Sequence, residues 1–330
     1  MGRAEPDAET VGRPAALAIV GSTAIVLAYV YFAYVDYPRL GQRLSAHREI
    51  LDGTAQSPNR YRVLVPFLAD ALIGRLSGVM PAERAFLVAY GLYDVVVFAF
   101  LMTALYVYVR RWFSRTETLV GILFAAATMP IALRDHFFQP WSPLEAALFT
   151  LGLLLSRDRR RVLLAATIVV AALNRETAIF LALACCLTGL DPAERQRSRS
   201  ALALGGLWVV LWLAVFVGLR WIRGVADHLV TVSEIWAINT TPKYLARALV
   251  NHALFGGAFG VLAILGFRHA PRHVRRSAYV VPLYLAAVAV FGMWFEVRLL
   301  MPLYPILIPL ALSFLYRRGE ASFPAAEAGR

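Results

Sequence analysis

The chain has 330 residues, of which 59% are hydrophobic and 16% charged, and its formal net charge is +12. Soluble domains average about 45–50% apolar residues, so this composition and a mean hydropathy of +0.62 exclude an ordinary soluble domain. Most of the positive charge is arginine in short loops beside apolar runs, which is typical of membrane topology and not of a nucleic-acid interface. We therefore predict an all-α, polytopic membrane protein that has no nucleic-acid partner.

The apolar runs predict about ten transmembrane spans that form one integral domain over 15–318. Several spans are shorter than the ~20 residues that cross a bilayer, and such broken helices persist where they pack against protein or line a wet cavity. We expect the polar ends, 1–14 and 319–330, to be disordered and cytoplasmic. The predicted spans are 15–35, 85–109, 117–133, 142–155, 162–173, 177–190, 201–221, 247–266, 279–294 and 298–316.

Arginine predicts the orientation, because loops rich in arginine stay in the cytoplasm. Four such loops occur along the chain, and we assign them to the cytoplasmic side of the plasma membrane. This assignment places both termini in the cytoplasm and the region 36–84 outside as one loop. The apolar stretch 63–72 within this region is too short for a span, and its apolar side chains recur at helical spacing. It therefore predicts an amphipathic helix on the outer interface. The loops carry Arg110, Arg111 and Arg115; Arg157, Arg159, Arg160 and Arg161; Arg195, Arg197 and Arg199; and Arg268, Arg272, Arg275 and Arg276.

Three charged residues near the first predicted span are candidates for a site. Asp36 lies at its outer end, where a carboxylate can serve as a general base, and an ordinary interfacial acid is the alternative. Arg60 and Arg62 precede the interfacial helix, and guanidinium groups match a lipid phosphate in charge and geometry. Simple anchoring to lipid headgroups is the alternative for these two arginines.

The segment RDHFFQPWSPLE gathers polar side chains between two predicted spans. It contributes Asp135, His136 and Gln139 as candidate substrate-binding residues, followed by Glu145 inside the next span. Because the chain has neither paired histidines at ligand spacing nor a carboxylate cluster here, we predict no firmly bound metal. A weakly bound divalent cation is the only cofactor left open.

The motif NRETA is the sharpest signal in the chain. Asn174, Arg175 and Glu176 interrupt an apolar run, so the chain climbs part of the way through the membrane, turns at polar residues and returns. Charged side chains at membrane depth are costly and mark functional sites. A structural ion pair between Arg175 and Glu176 is the alternative.

The segment FEVRLLMPLYP begins the last predicted span. Glu296 and Arg298 lie two residues apart at its outer start, and two prolines follow that disturb the helix. These charges fit either substrate binding or an ion pair that holds the last helix.

This layout resembles the C-type superfamily of membrane glycosyltransferases, whose donors are polyprenyl-phosphate sugars. The resemblance rests on Asp36, on the 36–84 loop with RYRVLVP, on the NRETA hairpin and on FEVRLLMPLYP. It implies sugar transfer from a lipid-linked donor to a cell-envelope glycan, lipid or protein, on the external side of the membrane. Asp36 would then act as the base, Glu176 as a second catalytic residue, and arginines would stabilise the departing lipid phosphate.

Two other functions stay open. A lipid or small-solute transporter or flippase also needs polar residues and broken helices within the membrane. An assembly protein without catalysis is the other alternative, and its external polar residues would pair off and leave no cavity. For an enzyme we expect Asp36, Glu176, Arg175 and Arg298 to line one external cavity.

Overall fold

The computed structural model describes residues 11–134, 138–190 and 195–316, and all regular secondary structure in these ranges is helical. The α-helices are α1 (Arg13–Tyr31), α2 (Leu40–Asp52), α3 (Leu64–Leu76), α4 (Ala82–Val109), α5 (Arg115–Leu133), α6 (Trp141–Arg157), α7 (Arg161–Asn174), α8 (Ala178–Gly189), α9 (Arg195–Arg223), α10 (Val232–Thr240), α11 (Pro242–His252), α12 (Ala258–Gly266), α13 (Arg272–Ser277), α14 (Val281–Phe291) and α15 (Tyr304–Leu315). The prediction of an all-α chain is confirmed for the described residues.

Seven helices in the described part of the chain are long and apolar enough to cross a membrane. They are Arg13–Asp52, Ala82–Val109, Arg115–Leu133, Ser198–Arg223, Pro242–His269, Arg272–Phe291 and Val297–Leu315. The other three predicted spans correspond to α6, α7 and α8, which have 17, 14 and 12 residues. A multi-pass membrane protein is therefore supported, while the count of about ten spans stays a prediction.

The first helix does not end at Asp36, and that prediction was wrong. α1 continues through a π-helical turn, Phe32–Asp36, and a 3-10 turn, Tyr37–Arg39, into α2, so that one helix runs over Arg13–Asp52. These altered turns accommodate the proline within the 3-10 turn, which lacks a backbone N–H. The helix ends instead at Gly53, whose φ of +71° is the left-handed conformation that glycine adopts most readily.

A helix is present where the sequence predicted the interfacial one. α3 buries Val65, Pro66 and Ala69 and packs against α4, while Phe67 and Leu68 are exposed. This two-sided pattern suits an amphipathic helix. Its place at the outer interface stays a prediction.

The closest helix packing joins α12 to α15. A Cβ added at Gly266 would lie 1.9 Å from the backbone oxygen of Leu310, so only glycine allows this approach. α15 differs in burial from α9, since 83% of the apolar window of 297–315 is buried against 11% for 198–223. α15 is thus the centre of the bundle and α9 lies at its periphery.

Contacts between turns define two ends of the bundle. At the arginine end, the α4–α5 turn meets the α6–α7 turn, where Arg111 pairs with Asp158 at 2.7 Å. At the mixed-charge end, the α7–α8 turn meets the start of α6, where the Asn174 side chain donates to the Trp141 carbonyl at 3.0 Å. The predicted site residues that the structure describes lie toward the mixed-charge end.

Candidate functional site

Asp36 lies inside the protein and not at an exposed helix end. Its carboxylate pairs with the Arg43 guanidinium at 2.7 Å, and both side chains are buried. The Arg43 Nε also donates to the carbonyl of Val35 at 3.3 Å. Arg43 follows Asp36 by two turns of the same continuous helix. The part of this helix beyond Asp36, which the sequence did not predict, therefore supplies the ion-pair partner of Asp36.

Asp94 is a functional candidate that the sequence reasoning missed. It is buried on α4 beside Asp36, and its oxygens accept no hydrogen bond from the described N–H and O–H donors. The signal was available, because a single acid inside the predicted span 85–109 is costly and is a functional-site candidate. Asp36, Arg43 and Asp94 therefore form a buried triad of two carboxyl groups and one guanidinium.

The NRETA turn places its arginine in the protein interior, as predicted. α7 ends at Asn174, and Arg175 has an extended backbone that starts the turn into α8. The Arg175 guanidinium pairs with Glu145 of α6 at 2.6 Å, and Thr177 donates to the same carboxylate. Arg175 therefore forms a structural Arg–Glu pair, as the alternative had it, but its partner is Glu145 and not the neighbouring Glu176.

Glu176 forms the edge of the cluster. Its carboxylate accepts two hydrogen bonds from Arg62, including one from Nε at 3.2 Å. Arg62 is buried, whereas the Glu176 side chain is 31% exposed. Trp212 of α9 donates to the Glu176 carbonyl at 2.9 Å. Of the ion pairs at Asp36, Glu145, Glu176 and Glu296, this one is the most accessible.

Glu296 and Arg298 form the ion pair that the sequence offered as the alternative to substrate binding. Arg298 and Glu296 pair at 2.7 Å at the start of the 3-10 helix Val297–Leu303. Both side chains are largely buried. Tyr284 of α14 donates to the Leu299 carbonyl at 2.5 Å, which fixes this turn against the bundle.

Two aromatic residues connect the Asp36 triad to the NRETA turn. The Arg43 guanidinium lies 5.5 Å from the Phe138 ring centroid, and Phe138 packs edge-on against Trp141 at 6.1 Å. The Arg62 guanidinium lies 5.1 Å from the Trp141 ring on the other side. Asp36 and the NRETA turn therefore belong to one side of the bundle, joined by a continuous series of contacts.

The segment before α6 is only partly described. Asp135 and His136 lie outside the described residues. Gln139 is half-buried, and its Oε1 has no hydrogen-bond partner among the described residues.

Arg60 lies in a separate arginine cluster with two residues that were not predicted. Arg60 donates to the carbonyl of Arg223, and Arg223 donates to the carbonyl of Ile50 at the end of α2. The Nε atoms of both arginines lack a hydrogen-bond partner in the described part of the chain. Arg220 lies 4.3 Å above the Tyr61 ring and close to Glu176. This cluster is a candidate for binding an anion.

Among the described residues, the side chains expected to line one open cavity are mostly buried. Asp36, Arg175 and Arg298 are buried, and access from solvent is through the partly exposed Glu176. Two cavities lie elsewhere, one of about 480 Å³ at the arginine end and one of about 390 Å³ beside α2. The described residues contain no group of three His, Cys, Asp or Glu side chains that could hold a metal ion.

Known proteins supply no family for this chain. Comparison with protein-family models, with curated proteins and with solved structures finds no significant match. Function is therefore inferred from the residues and their geometry.

Proposed function

We propose that this chain is a membrane glycosyltransferase that transfers a sugar from a polyprenyl-phosphate donor to an acceptor hydroxyl. The observation that supports this proposal is a series of contacts from Asp36 through Arg43, Phe138 and Trp141 to Arg62, which pairs with Glu176 of the NRETA turn. An acid able to take a proton thus lies in one cluster with groups able to hold a phosphate. In the proposed arrangement the protein lies in the plasma membrane with both termini cytoplasmic, and the site faces outward.

Asp36 is the proposed base. It is one of two buried carboxyl groups, with Asp94, beside the single guanidinium of Arg43. The acceptor oxygen attacks the anomeric carbon and its proton passes to Asp36. The bond from the anomeric carbon to the phosphate oxygen breaks, and the lipid phosphate leaves with the electron pair.

The departing phosphate requires positive charge, because negative charge develops there in the transition state. Arg62 at the accessible edge and the Arg60–Arg223 cluster beside it supply that charge. Trp221 and Ile222 are exposed next to this cluster, where a polyprenyl chain finds apolar contact. Arg175 and Arg298 are held by Glu145 and Glu296. These two ion pairs contribute fixed charges to the electrostatic potential of the site. Glu176 holds Arg62 and exchanges with the donor phosphate as it binds.

A non-catalytic role in assembly is the second candidate. The observation that favours it is that Arg175 and Arg298 are buried in pairs with Glu145 and Glu296. Buried pairs can specify a fold without taking part in chemistry. Arg60 and Arg223 form no ion pair with a carboxylate among the described residues, and this favours the enzyme.

The decisive substitution is Asp36→Asn. Loss of a general base typically lowers the rate about 10²–10⁴-fold. Because the amide also leaves buried Arg43 without its carboxylate, the stability of the variant is measured beside its transfer. The measurement is transfer from a panel of radiolabelled polyprenyl-phosphate sugars in membranes, with the amount of each variant determined in parallel. Asp52→Asn is the matched control, because Asp52 is an exposed acid at the end of the same helix.

The outcomes separate the candidate functions. Loss of transfer in Asp36→Asn with full transfer in Asp52→Asn supports the enzyme. Equal transfer by both variants removes Asp36 from the mechanism. If the wild-type protein uses none of the donors, solute uptake by reconstituted vesicles identifies a transporter, and the absence of uptake leaves the assembly role.

A further inference from the structure

Asp94 is a buried acid on α4 whose carboxyl group lacks the partners that an ionised carboxylate needs. The residue is 1% exposed, and neither carboxyl oxygen accepts a hydrogen bond from an N–H or O–H group of the residues that the structure describes. Burial of an unpaired charge is far more costly than burial of a neutral polar group. The surroundings of Asp94 therefore suit the protonated acid.

Close packing of the first helix on α4 brings Asp94 against the carboxyl group of Asp36. A Cβ added at Gly91 would lie 3.4 Å from the ring of Phe32, and these two residues precede Asp94 and Asp36 by about one helical turn. Asp36 ends the π-helical turn of the first helix, and such turns are frequent at functional sites. The carboxyl groups of Asp36 and Asp94 consequently lie within hydrogen-bonding reach of each other.

This contact requires a proton, because ionised carboxylates accept hydrogen bonds and cannot donate them. Two carboxylates that share a site also repel, and such pairs retain one proton between them. The Arg43 guanidinium lies 2.7 Å from Asp36, so Asp36 is the member of the pair whose negative charge is compensated. The proton therefore belongs on Asp94, which then donates a hydrogen bond to Asp36.

The charges around Asp94 lead to the same assignment. In the described part of the chain, the charged groups that act on Asp94 are Asp36 and Arg43. With one proton on Asp94, these two form a neutral ion pair. The neighbouring hydroxyl groups are neutral phenols at neutral pH, those of Tyr31, Tyr90 and Tyr93. Two further titratable groups lie beside these tyrosines: His47, which contacts Tyr90, and Arg298, which pairs with Glu296.

We propose that Asp94 is a positioning residue that holds one proton and donates it in a hydrogen bond to Asp36, which keeps Asp36 ionised as a base. A hydrogen bond to a carboxylate stabilises its charged form, and enzyme active sites do use neutral carboxylic acids as donors. In the transfer step the acceptor proton passes to Asp36 while Asp94 keeps its own, and Asp36 then returns its proton to solvent. This catalytic role rests on the proposed function, whereas the protonation of Asp94 does not.

Infrared spectroscopy of the purified full chain in micelles at neutral pH tests the protonation without any sugar transfer. A protonated carboxyl group has a C=O stretching band that is separate from the bands of carboxylates. We expect this band in the wild-type protein, its displacement when aspartate is isotope-labelled in the side-chain carboxyl group, and its loss in Asp94→Asn. Asp70→Asn is the matched control and should leave the band unchanged, because Asp70 is an aspartate of α3 whose side chain is 54% exposed.

A second variant tests the contact between the two acids. Asp36→Asn should shift or remove the band, because the Asp94 proton loses its acceptor and Arg43 loses its carboxylate. An unchanged band in Asp36→Asn would overturn the proposal, as would a band that survives in Asp94→Asn. A wild-type spectrum without an isotope-sensitive band would also overturn it, and that measurement does not depend on the folding of any variant.

Sugar transfer tests the positioning role. Asp94→Leu fills the same space but cannot donate, so transfer should fall about tenfold or more with the loss of a hydrogen bond to a charged group. Asp94→Asn should recover most of this loss, because its amide N–H group can donate to Asp36. Equal transfer by the two variants would overturn the role, since packing alone predicts that result. Elution and melting temperature of each variant are measured in parallel.

Failure of the proposed function is distinguishable from failure of this inference. A wild-type protein that uses none of the lipid-linked donors would overturn the proposed function, and the infrared result alone would then decide the protonation of Asp94. A wild-type protein that transfers sugar but lacks the aspartic acid band would keep the proposed function and overturn the inference.

Discussion

The arginines at the two ends of the bundle differ in their burial and in the groups that surround them. At the mixed-charge end, Arg43, Arg62, Arg175 and Arg298 each pair with a carboxylate, and all four guanidinium groups are buried. At the arginine end, four arginines line one cavity whose described lining has no acid. The first arrangement holds its charges in fixed positions from within the protein. The second gathers its arginines at the ends of apolar helices.

The difference follows from depth. A buried guanidinium has lost water on all sides and is stable only with a fixed partner, so the sequence must supply an acid for each one. A guanidinium at a helix end keeps contact with water and lipid headgroups, and no such partner is required. Ion pairs at the mixed-charge end should therefore contribute more to the free energy of unfolding than ion pairs at the arginine end.

The largest effect is expected from breaking a fully buried pair. Glu145→Ala leaves Arg175 without its carboxylate, and loss of one partner of a buried ion pair typically costs about 3–5 kcal/mol. The measurement is the free energy of unfolding in mixed micelles, or the melting temperature where unfolding is irreversible. A cost under about 1 kcal/mol would contradict the buried character of this pair.

The double variant Glu145→Met/Arg175→Met sharpens the result. It removes both charges, and apolar residues in place of a buried pair are often neutral or stabilising. A protein that is stable but has lost sugar transfer would assign the pair to function. If the double variant is stable and fully active, the Glu145–Arg175 pair is required neither for sugar transfer nor for stability.

An intermediate effect is expected at the edge of the cluster. Arg62→Ala leaves Glu176 without its bidentate partner, but Glu176 is 31% exposed and water replaces part of the lost hydrogen bonding. The expected cost is about 1–3 kcal/mol. Arg62→Lys is the control, because a lysine restores the charge but not the fork. Full stability of Arg62→Ala would show that Glu176 is solvated without it.

The smallest effect is expected at the arginine end. Arg111 pairs with Asp158, but its side chain is 40% exposed, and exposed pairs contribute only about 0–1 kcal/mol. Arg111→Ala should therefore leave the melting temperature nearly unchanged at both low and high salt. A loss as large as that of Glu145→Ala would remove the contrast between the two ends.

Most helix positions were predictable from the sequence because polar residues end the apolar runs abruptly. The predicted span 162–173 corresponds to Arg161–Asn174, and 117–133 corresponds to Arg115–Leu133. The error at Asp36 has a physical reason. Hydropathy reports where a helix leaves an apolar environment, whereas a helix ends where its backbone hydrogen bonds end, here at Gly53.

The candidate site was predicted in its residues but not in its pairing. NRETA was visible because three polar residues interrupt one apolar run, while Asp94 was a single acid within a long run and escaped notice. Arg175 pairs with Glu145, which is 30 positions away. Such a partner is decided by how α6 packs beside the α7–α8 turn, and one sequence without an alignment carries no signal of that packing.

The glycine contact between α12 and α15 limits how the site can open. With the backbones of Gly266 and Leu310 this close, one helix cannot slide or rotate past the other without a clash. Arg298 begins the segment that leads into α15, so it is anchored to the part of the bundle that resists displacement. α9, which has the least buried apolar window, carries Trp212 against Glu176. We therefore expect substrate to enter by movement of α9 relative to the closely packed pair of α12 and α15. Arg298, which does not move with α9, is a reference point for measuring this movement.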